Sequence, residues 1–147
     1  MWHRHRWVIV LLIMTCLLSA CTSSTNKADE SAPAKVEPIE QTGFSRVILT
    51  ADAAKRLGIQ TTPVSDTQVG GTLEKVVPYS AVFYDVHGAT WVYTNPQPLT
   101  FVRGSVKVDS IDDEDRAILS DGPPTGTAVV TVGTPELYGT EFEGGES

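Results

Sequence analysis

Cysteine and methionine are scarce in this chain. Its two cysteines are Cys16 and Cys21, and its two methionines are Met1 and Met14. All four lie within the first 21 residues, so the rest of the sequence offers no thiol for a disulfide, a thiolate nucleophile or a zinc site, and no thioether for a soft metal. A domain built from that remainder must be stabilised by its hydrophobic core alone.

Basic residues are too few for a nucleic-acid-binding protein. The chain has 11 lysines and arginines against 18 acidic residues, a net charge of −7, which becomes −9 without Arg4 and Arg6. This balance lacks the basic footprint of nucleic-acid recognition, so we expect no nucleic-acid partner. It also gives no general attraction to anionic headgroups, so membrane association must depend on a covalent anchor.

The N-terminal apolar run is too short for an ordinary membrane-spanning helix. It covers residues 8–18, whereas a spanning helix needs about 20 residues. Arg4 and Arg6 precede it, and Leu18-Ser19-Ala20-Cys21 follows it. This order is typical of a lipoprotein signal peptide, in which small residues precede a cysteine that receives diacylglycerol. An uncleaved anchor, or a plain secretory peptide cut after Ala20, would export the chain equally.

We therefore predict a signal peptide over residues 1–20 and lipidation, including palmitate-type acyl chains, at Cys21. The protein is expected on the extracytoplasmic face of a bacterial membrane. Residues 21–43 are polar, punctuated by proline and without periodicity, which predicts a flexible tether. A single domain is expected over 44–142, followed by a disordered tail at 143–147.

The pattern within 44–142 predicts a mainly β fold, a small roll or barrel with one short helix. Thr50 has the character of an N-cap and Gly58 that of a helix stop, with the helix between them. Residues 80–94 predict a β-hairpin around the turn 85–88, and 102–108 a half-buried strand. Further strands are expected at 117–119 and 128–132.

No residue pattern indicates catalysis, a metal site or a cofactor, so we expect a protein that is not an enzyme. His87 is expected to be an exposed loop residue, and the acidic stretch 109–115 a solvated turn, since its spacing is not that of an EF-hand. Aromatic residues of the strands are expected in the core: Tyr84, Trp91, Tyr93 and Phe101. Those near turns or in the tail are the candidates for partner binding: Tyr79, Tyr138 and Phe142.

Several strand-and-turn segments resemble the closing part of periplasmic adaptor subunits, the membrane fusion proteins of RND-type efflux pumps. These segments are residues 77–82, 88–93, 101–103, 106–108 and 129–137, and residues 47–61 resemble a piece of the outgoing limb. The resemblance implies a membrane-proximal domain whose two limbs are joined directly through Gly70-Gly71, with the lipoyl and α-hairpin layers absent.

Two functions from different classes follow from these features. The first is a non-enzymatic, lipid-anchored accessory protein that docks on an efflux-type transporter or its adaptor, with an exposed strand edge available for β-augmentation. The second is a stand-alone lipoprotein that binds a small ligand or an ion in a concave pocket.

Replacement of Cys21 with serine should abolish lipid attachment, because a hydroxyl does not replace the thiol that receives diacylglycerol. We expect the Cys21→Ser chain to lose incorporation of labelled palmitate and to keep its signal peptide. Radiolabelling and the mass of the purified chain measure both effects. Labelling of the Cys21→Ser chain at the level of the wild type would contradict the prediction, and Cys16→Ser is the matched control.

Overall fold

The computed structural model describes residues 32–143, so the predicted signal peptide, Cys21, most of the tether and the end of the tail lie outside the described residues. Within this range, no helix is long and apolar enough to cross a bilayer. In chain order the elements are β1 (Ala34–Ile39), β2 (Phe44–Leu49), α1 (Ala51–Leu57), β3 (Gln60–Pro63), β4 (Ser65–Val69), β5 (Thr72–Pro78), a 3-10 turn (Tyr79–Ala81), β6 (Phe83–Tyr84), β7 (Thr90–Gln97), β8 (Thr100–Ser105), β9 (Lys107–Ile111), β10 (Arg116–Asp121), β11 (Ala128–Val132) and α2 (Thr134–Glu143).

The strands form two antiparallel sheets. The first sheet has the order β1-β2-β8-β7-β11-β3, with β6 paired to β7 beside this path. The second sheet has the order β4-β5-β10-β9. The predicted mainly β fold is confirmed.

The first sheet is covered on both faces. Because neighbouring strand residues point to opposite faces, the adjacent buried residues Val92 and Tyr93 in β7 mark two separate cores. Val92 packs with residues of the second sheet, including Val77 and Leu119. Tyr93 lies in the other core with Leu137 of α2 and residues of α1. The domain therefore has three layers: helices, first sheet and second sheet.

The chain passes directly from one sheet to the other at two single residues. Val64 separates β3 from β4, and Val106 separates β8 from β9. Both side chains are buried in the core between the sheets. The predicted continuous strand over 102–108 is therefore divided at Val106, and Val108 of β9 packs against the same core as Val106.

Helix α1 begins and ends as its sequence predicts. The Thr50 hydroxyl accepts a hydrogen bond from the Ala53 amide at 3.2 Å. Gly58 has a left-handed backbone, with φ of 65°, and its amide bonds the last helical carbonyls. Ala53 is buried against the first sheet, which fixes the inner face of the helix.

Two predicted boundaries are wrong. Residues 34–39 were expected in the tether but form β1, which pairs with all six residues of β2, so the ordered domain begins before residue 44. The C-terminal residues were expected to continue the β domain into a tail, but Thr134–Glu143 form a second helix. The expectation of one short helix is therefore corrected to two.

Gly133 is the junction between β11 and α2, and its backbone excludes larger residues. Its φ is +94°, and an added Cβ would overlap the Ile59 side chain. Gly133→Ala should therefore destabilise the domain by about 1–3 kcal/mol, through backbone strain and overpacking. Equilibrium urea unfolding measures the change.

Gly139→Ala is the matched control for this measurement. Gly139 lies within α2 and a Cβ there would contact nothing within 4 Å. Alanine should stabilise this helix by about 0.5–1 kcal/mol. Equal effects of the two substitutions would contradict the structural role given to Gly133.

Candidate functional site

The loop between β6 and β7 is held rigidly by one carboxylate. Asp85 Oδ1 accepts hydrogen bonds from the backbone amides of His87 and Ala89, both at 2.9 Å. Its Oδ2 accepts a hydrogen bond from the Trp91 indole at 3.0 Å. The backbone closes the same turn, since the Asp85 amide donates to Ala89 and the Gly88 amide donates to Asp85. The loop is thus fixed at both of its ends.

This rigid loop exposes apolar surface. Val86 is 86% exposed and Tyr84 is 55% exposed, and His87 beside them is also exposed. Tyr79 is half-buried against the core between the sheets, with its hydroxyl 3.4 Å from that of Tyr84. We call Tyr79, Tyr84, Val86 and His87 the loop surface. Exposed apolar side chains on a fixed loop are typical of a protein-binding surface.

The Asp85 carboxylate is stabilised in its charged form. Partial desolvation pushes its pKa upward, but the hydrogen bonds from Trp91, Ala89 and His87 outweigh this effect, so its pKa lies below the ordinary value of 3.8. The group therefore remains an acceptor for all three donors at neutral pH.

A buried polar network holds α2 on the first sheet. Glu141 is only 5% exposed; it accepts a hydrogen bond from the Tyr93 hydroxyl at 2.6 Å and one from Arg103 Nε at 3.0 Å. Burial raises the pKa of Tyr93, and the neighbouring Glu141 carboxylate raises it further, so the phenol stays protonated and donates. Loss of one partner of such a buried pair costs about 3–5 kcal/mol. We call Tyr93, Arg103 and Glu141 the Glu141 network.

Aromatic rings enclose the arginine of this network. The Arg103 guanidinium carbon lies 5.1–5.2 Å from the ring centres of Phe44, Trp91 and Phe142. These distances are within the range of cation–π attraction. Because Arg103 itself fills the cage, the arrangement stabilises the helix–sheet contact.

The three predicted partner-binding residues fall in two places. Tyr79 belongs to the loop surface, whereas Tyr138 and Phe142 lie on α2 with ring centres 4.6 Å apart. Tyr138 packs against Phe83 and is half-buried, while Phe142 is 48% exposed. Their role in partner binding stays a prediction. Of the three, Phe142 is exposed, whereas Tyr79 and Tyr138 are half-buried against the two cores.

The predicted core aromatics divide differently. Tyr93 and Phe101 are buried as expected, and Trp91 is half-buried. Tyr84 was expected in the core and is exposed, because it occupies the last position of the two-residue strand β6 and points away from the helix layer. Val86 is the most exposed of these apolar residues. Apart from its place in a predicted turn, nothing in the sequence indicated that it would be exposed.

The later part of the acidic stretch, residues 112–115, forms the turn between β9 and β10, whereas Asp109 lies in β9. Asp112 accepts hydrogen bonds from the amides of Glu114 and Arg116, and its carboxylate pairs with the Arg116 guanidinium at 2.7 Å. The side chains of Asp113, Glu114 and Asp115 are exposed, as expected of a solvated turn.

His87 is exposed, as expected. Among residues 32–143, no group of three acidic, histidine or cysteine side chains is placed to hold a metal ion.

A groove of about 180 Å³ lies where the tether joins the domain. We call it the tether-side groove. Its walls come from the start of β1, the end of β2, helix α1 and one residue of α2: Pro33, Ala34, Leu49, Ala53, Arg56, Leu57 and Thr140. Its lining is mainly apolar, and Arg56 supplies its one charged side chain.

Comparison of the chain with protein-family models, with curated proteins and with solved structures finds no match. The likeness to periplasmic adaptor subunits therefore stays a prediction from the strand and turn pattern.

The hydrogen bond between Asp85 and Trp91 predicts a pH-dependent signal. A carboxyl with a lowered pKa contributes stability that is complete above its ordinary value and is lost as the pH falls through its lowered value. Trp91 is the sole tryptophan after Cys21. Its fluorescence should therefore change below about pH 3.8, as Asp85 takes up a proton and releases the indole.

Asp85→Asn separates this signal from general acid unfolding. The amide nitrogen of asparagine cannot accept the indole hydrogen bond, so the variant should show the altered emission already at neutral pH and no further step of this kind. Asp113→Asn, in the exposed acidic turn, is the control and should behave as the wild type. An identical acid transition in Asp85→Asn would exclude Asp85 as its source.

Proposed function

We propose that this protein is a non-enzymatic, lipid-anchored accessory protein that docks on an efflux-type membrane transporter or on its adaptor. It acts on the extracytoplasmic face of a bacterial membrane, where Cys21 holds it. The observation that carries the proposal is the loop surface, which presents Tyr84 and Val86 to solvent on a loop fixed by Asp85.

Pre-organisation is the reason to treat this surface as a docking site. A flexible loop loses conformational entropy when it binds, at about 0.5–1.5 kcal/mol for each immobilised side chain. The three hydrogen bonds to Asp85 have already ordered this loop in the free domain. Tyrosine is also among the residues that contribute most to protein interfaces.

Strand edges give a second means of contact. β4 and β9 are the outer strands of the second sheet, so each has one edge without a neighbouring strand among the described residues. A transporter segment in extended conformation would add to such an edge through main-chain hydrogen bonds.

The alternative, a stand-alone ligand-binding lipoprotein, has the tether-side groove in its favour. Its volume of about 180 Å³ is below the roughly 300–1,000 Å³ that is usual for small-molecule pockets. The groove also lacks the several convergent polar groups that orient a small ligand. These properties favour docking over ligand storage.

A photo-crosslinking amino acid at the position of Val86 tests the proposal in the native membrane. After irradiation, it should capture an integral transporter subunit or its adaptor, identified by mass spectrometry. Capture should fall in the Cys21→Ser chain, which has no lipid at residue 21.

Val132 is the matched control position, because it is also a valine and is 43% exposed, but lies at the end of β11 away from the loop. A crosslinker there should not capture the transporter. The docking function is wrong as stated when position 86 captures no transporter or adaptor, or when both positions capture it equally.

A further inference from the structure

Charge is distributed unequally between the two parts of the domain. Residues 32–58 contain four basic and three acidic residues, whereas residues 59–143 contain four basic and twelve acidic residues. The part that follows the tether is therefore slightly positive, and the rest is strongly negative. The slightly positive part is compatible with contact to an anionic surface. The strongly negative rest of the domain would be repelled by such a surface.

Two cations in this positive part have no partner among the described residues. Lys55 and Arg56, in the last turn of α1, are exposed and make no ion pair there. By contrast, Lys35 and Arg46 both lie near the Glu37 carboxylate, at 2.7 and 3.8 Å. Lys55 and Arg56 are thus available to an external anion.

Apolar surface lies directly beside these cations. Arg56 forms part of the wall of the tether-side groove, next to Leu57 and Ala53 of the same helix. A phospholipid has the same combination, since its anionic phosphate is joined to apolar chains. This face therefore combines positive charge with apolar surface, as helices that lie at a membrane interface do.

The described part of the chain begins beside this face, at the end that leads to Cys21. Twelve peptide units join Cys21 to Pro33, so these two residues can be at most about 43 Å apart. Pro33 is itself part of the groove wall. The face with Lys55 and Arg56 is thus the part of the domain to which the anchor is attached.

We propose that this α1 face is the surface by which the domain lies on the membrane, and that its occupant is an anionic phospholipid of the bilayer that holds the anchor. The phosphate lies against Lys55 and Arg56, and the apolar part of the lipid contacts the groove. This inference rests on lipidation of Cys21 from the proposed function, but it needs no transporter. The second sheet, with its acidic turn, then projects away from the membrane, because it packs on the opposite face of the first sheet.

The experiment uses the full mature lipoprotein in vesicles of phosphatidylcholine, with and without phosphatidylglycerol. A fluorophore is attached at Asp52→Cys on α1 or at Ser110→Cys on β9, both exposed positions. A nitroxide on the lipid headgroups quenches a fluorophore that lies at the surface. Quenching should be strong at position 52 with phosphatidylglycerol present and weak at position 110.

Charge reversal identifies the residues responsible. Each basic side chain near an anionic leaflet raises membrane contact about fivefold, so Lys55→Glu with Arg56→Glu should lower it at least about 25-fold. Lys107→Glu on β9 makes the same charge change as Lys55→Glu alone and should have little effect.

Each other outcome overturns the proposal. Equal quenching at positions 52 and 110 would show that the domain does not lie on this face. Quenching at position 52 that is unaffected by phosphatidylglycerol or by charge reversal would show that Lys55 and Arg56 do not bind an anionic phospholipid. Failure of the anchor is distinguishable, because a chain without acyl groups on Cys21, checked by its mass, does not enter the vesicles at all. Failure of docking on a transporter does not affect the result, since the vesicles contain none.

Discussion

Burial of the first sheet on both faces is the constraint on which the rest of the domain depends. In β7, the adjacent residues Val92 and Tyr93 are buried on opposite faces of the sheet. In β11, Val129 and Val130 are buried on opposite faces in the same way. Each face therefore needs its own cover, because an uncovered apolar face would remain in contact with water. The second sheet covers one face, and α1 and α2 cover the other. Residues 32–143 contain no cysteine, so the domain is stabilised by these two small cores together.

The Glu141 network connects one of these covers to the loop surface. Glu141 on α2 bonds Arg103 on β8, and the guanidinium lies against the ring of Trp91 on β7. The indole of Trp91 in turn donates to Asp85. Contacts thus run without interruption from the last turns of the C-terminal helix to the loop that exposes Val86. Trp91 therefore contacts both the Glu141 network and the loop that exposes Val86.

The elements that the sequence predicted correctly have signals within a few residues. Thr50 and Gly58 delimit α1 by local capping, and Gly70-Gly71 closes the turn between β4 and β5. Helix α2 was missed because its buried face is formed by Thr134, Leu137 and Glu141, of which only one is apolar. Its helical spacing is present, but a pattern based on apolar residues does not reveal it.

The candidate site was less predictable than the fold for a related reason. Glu141 was not among the predicted site residues, because its partners Tyr93 and Arg103 are 48 and 38 residues away in sequence. Strand β1 was assigned to the tether because Pro38 and Glu37 interrupt its alternation, although an outer strand tolerates both. Tyr79 lies in the 3-10 turn, and its role in partner binding stays a prediction. The exposure of Tyr84 and Val86 depends on where the short strand β6 ends.

The hairpin of β4 and β5 has a consequence for how chains with this core can vary in length. At its tip, a Cβ added to Gly70 or Gly71 would have no other atom within 4 Å, and Val69 and Leu73 beside the tip are exposed. Extending a surface loop adds only a slowly growing entropic cost, and residues inserted here would not enter either core. Residues inserted at this tip should therefore leave the packing of both sheets unchanged.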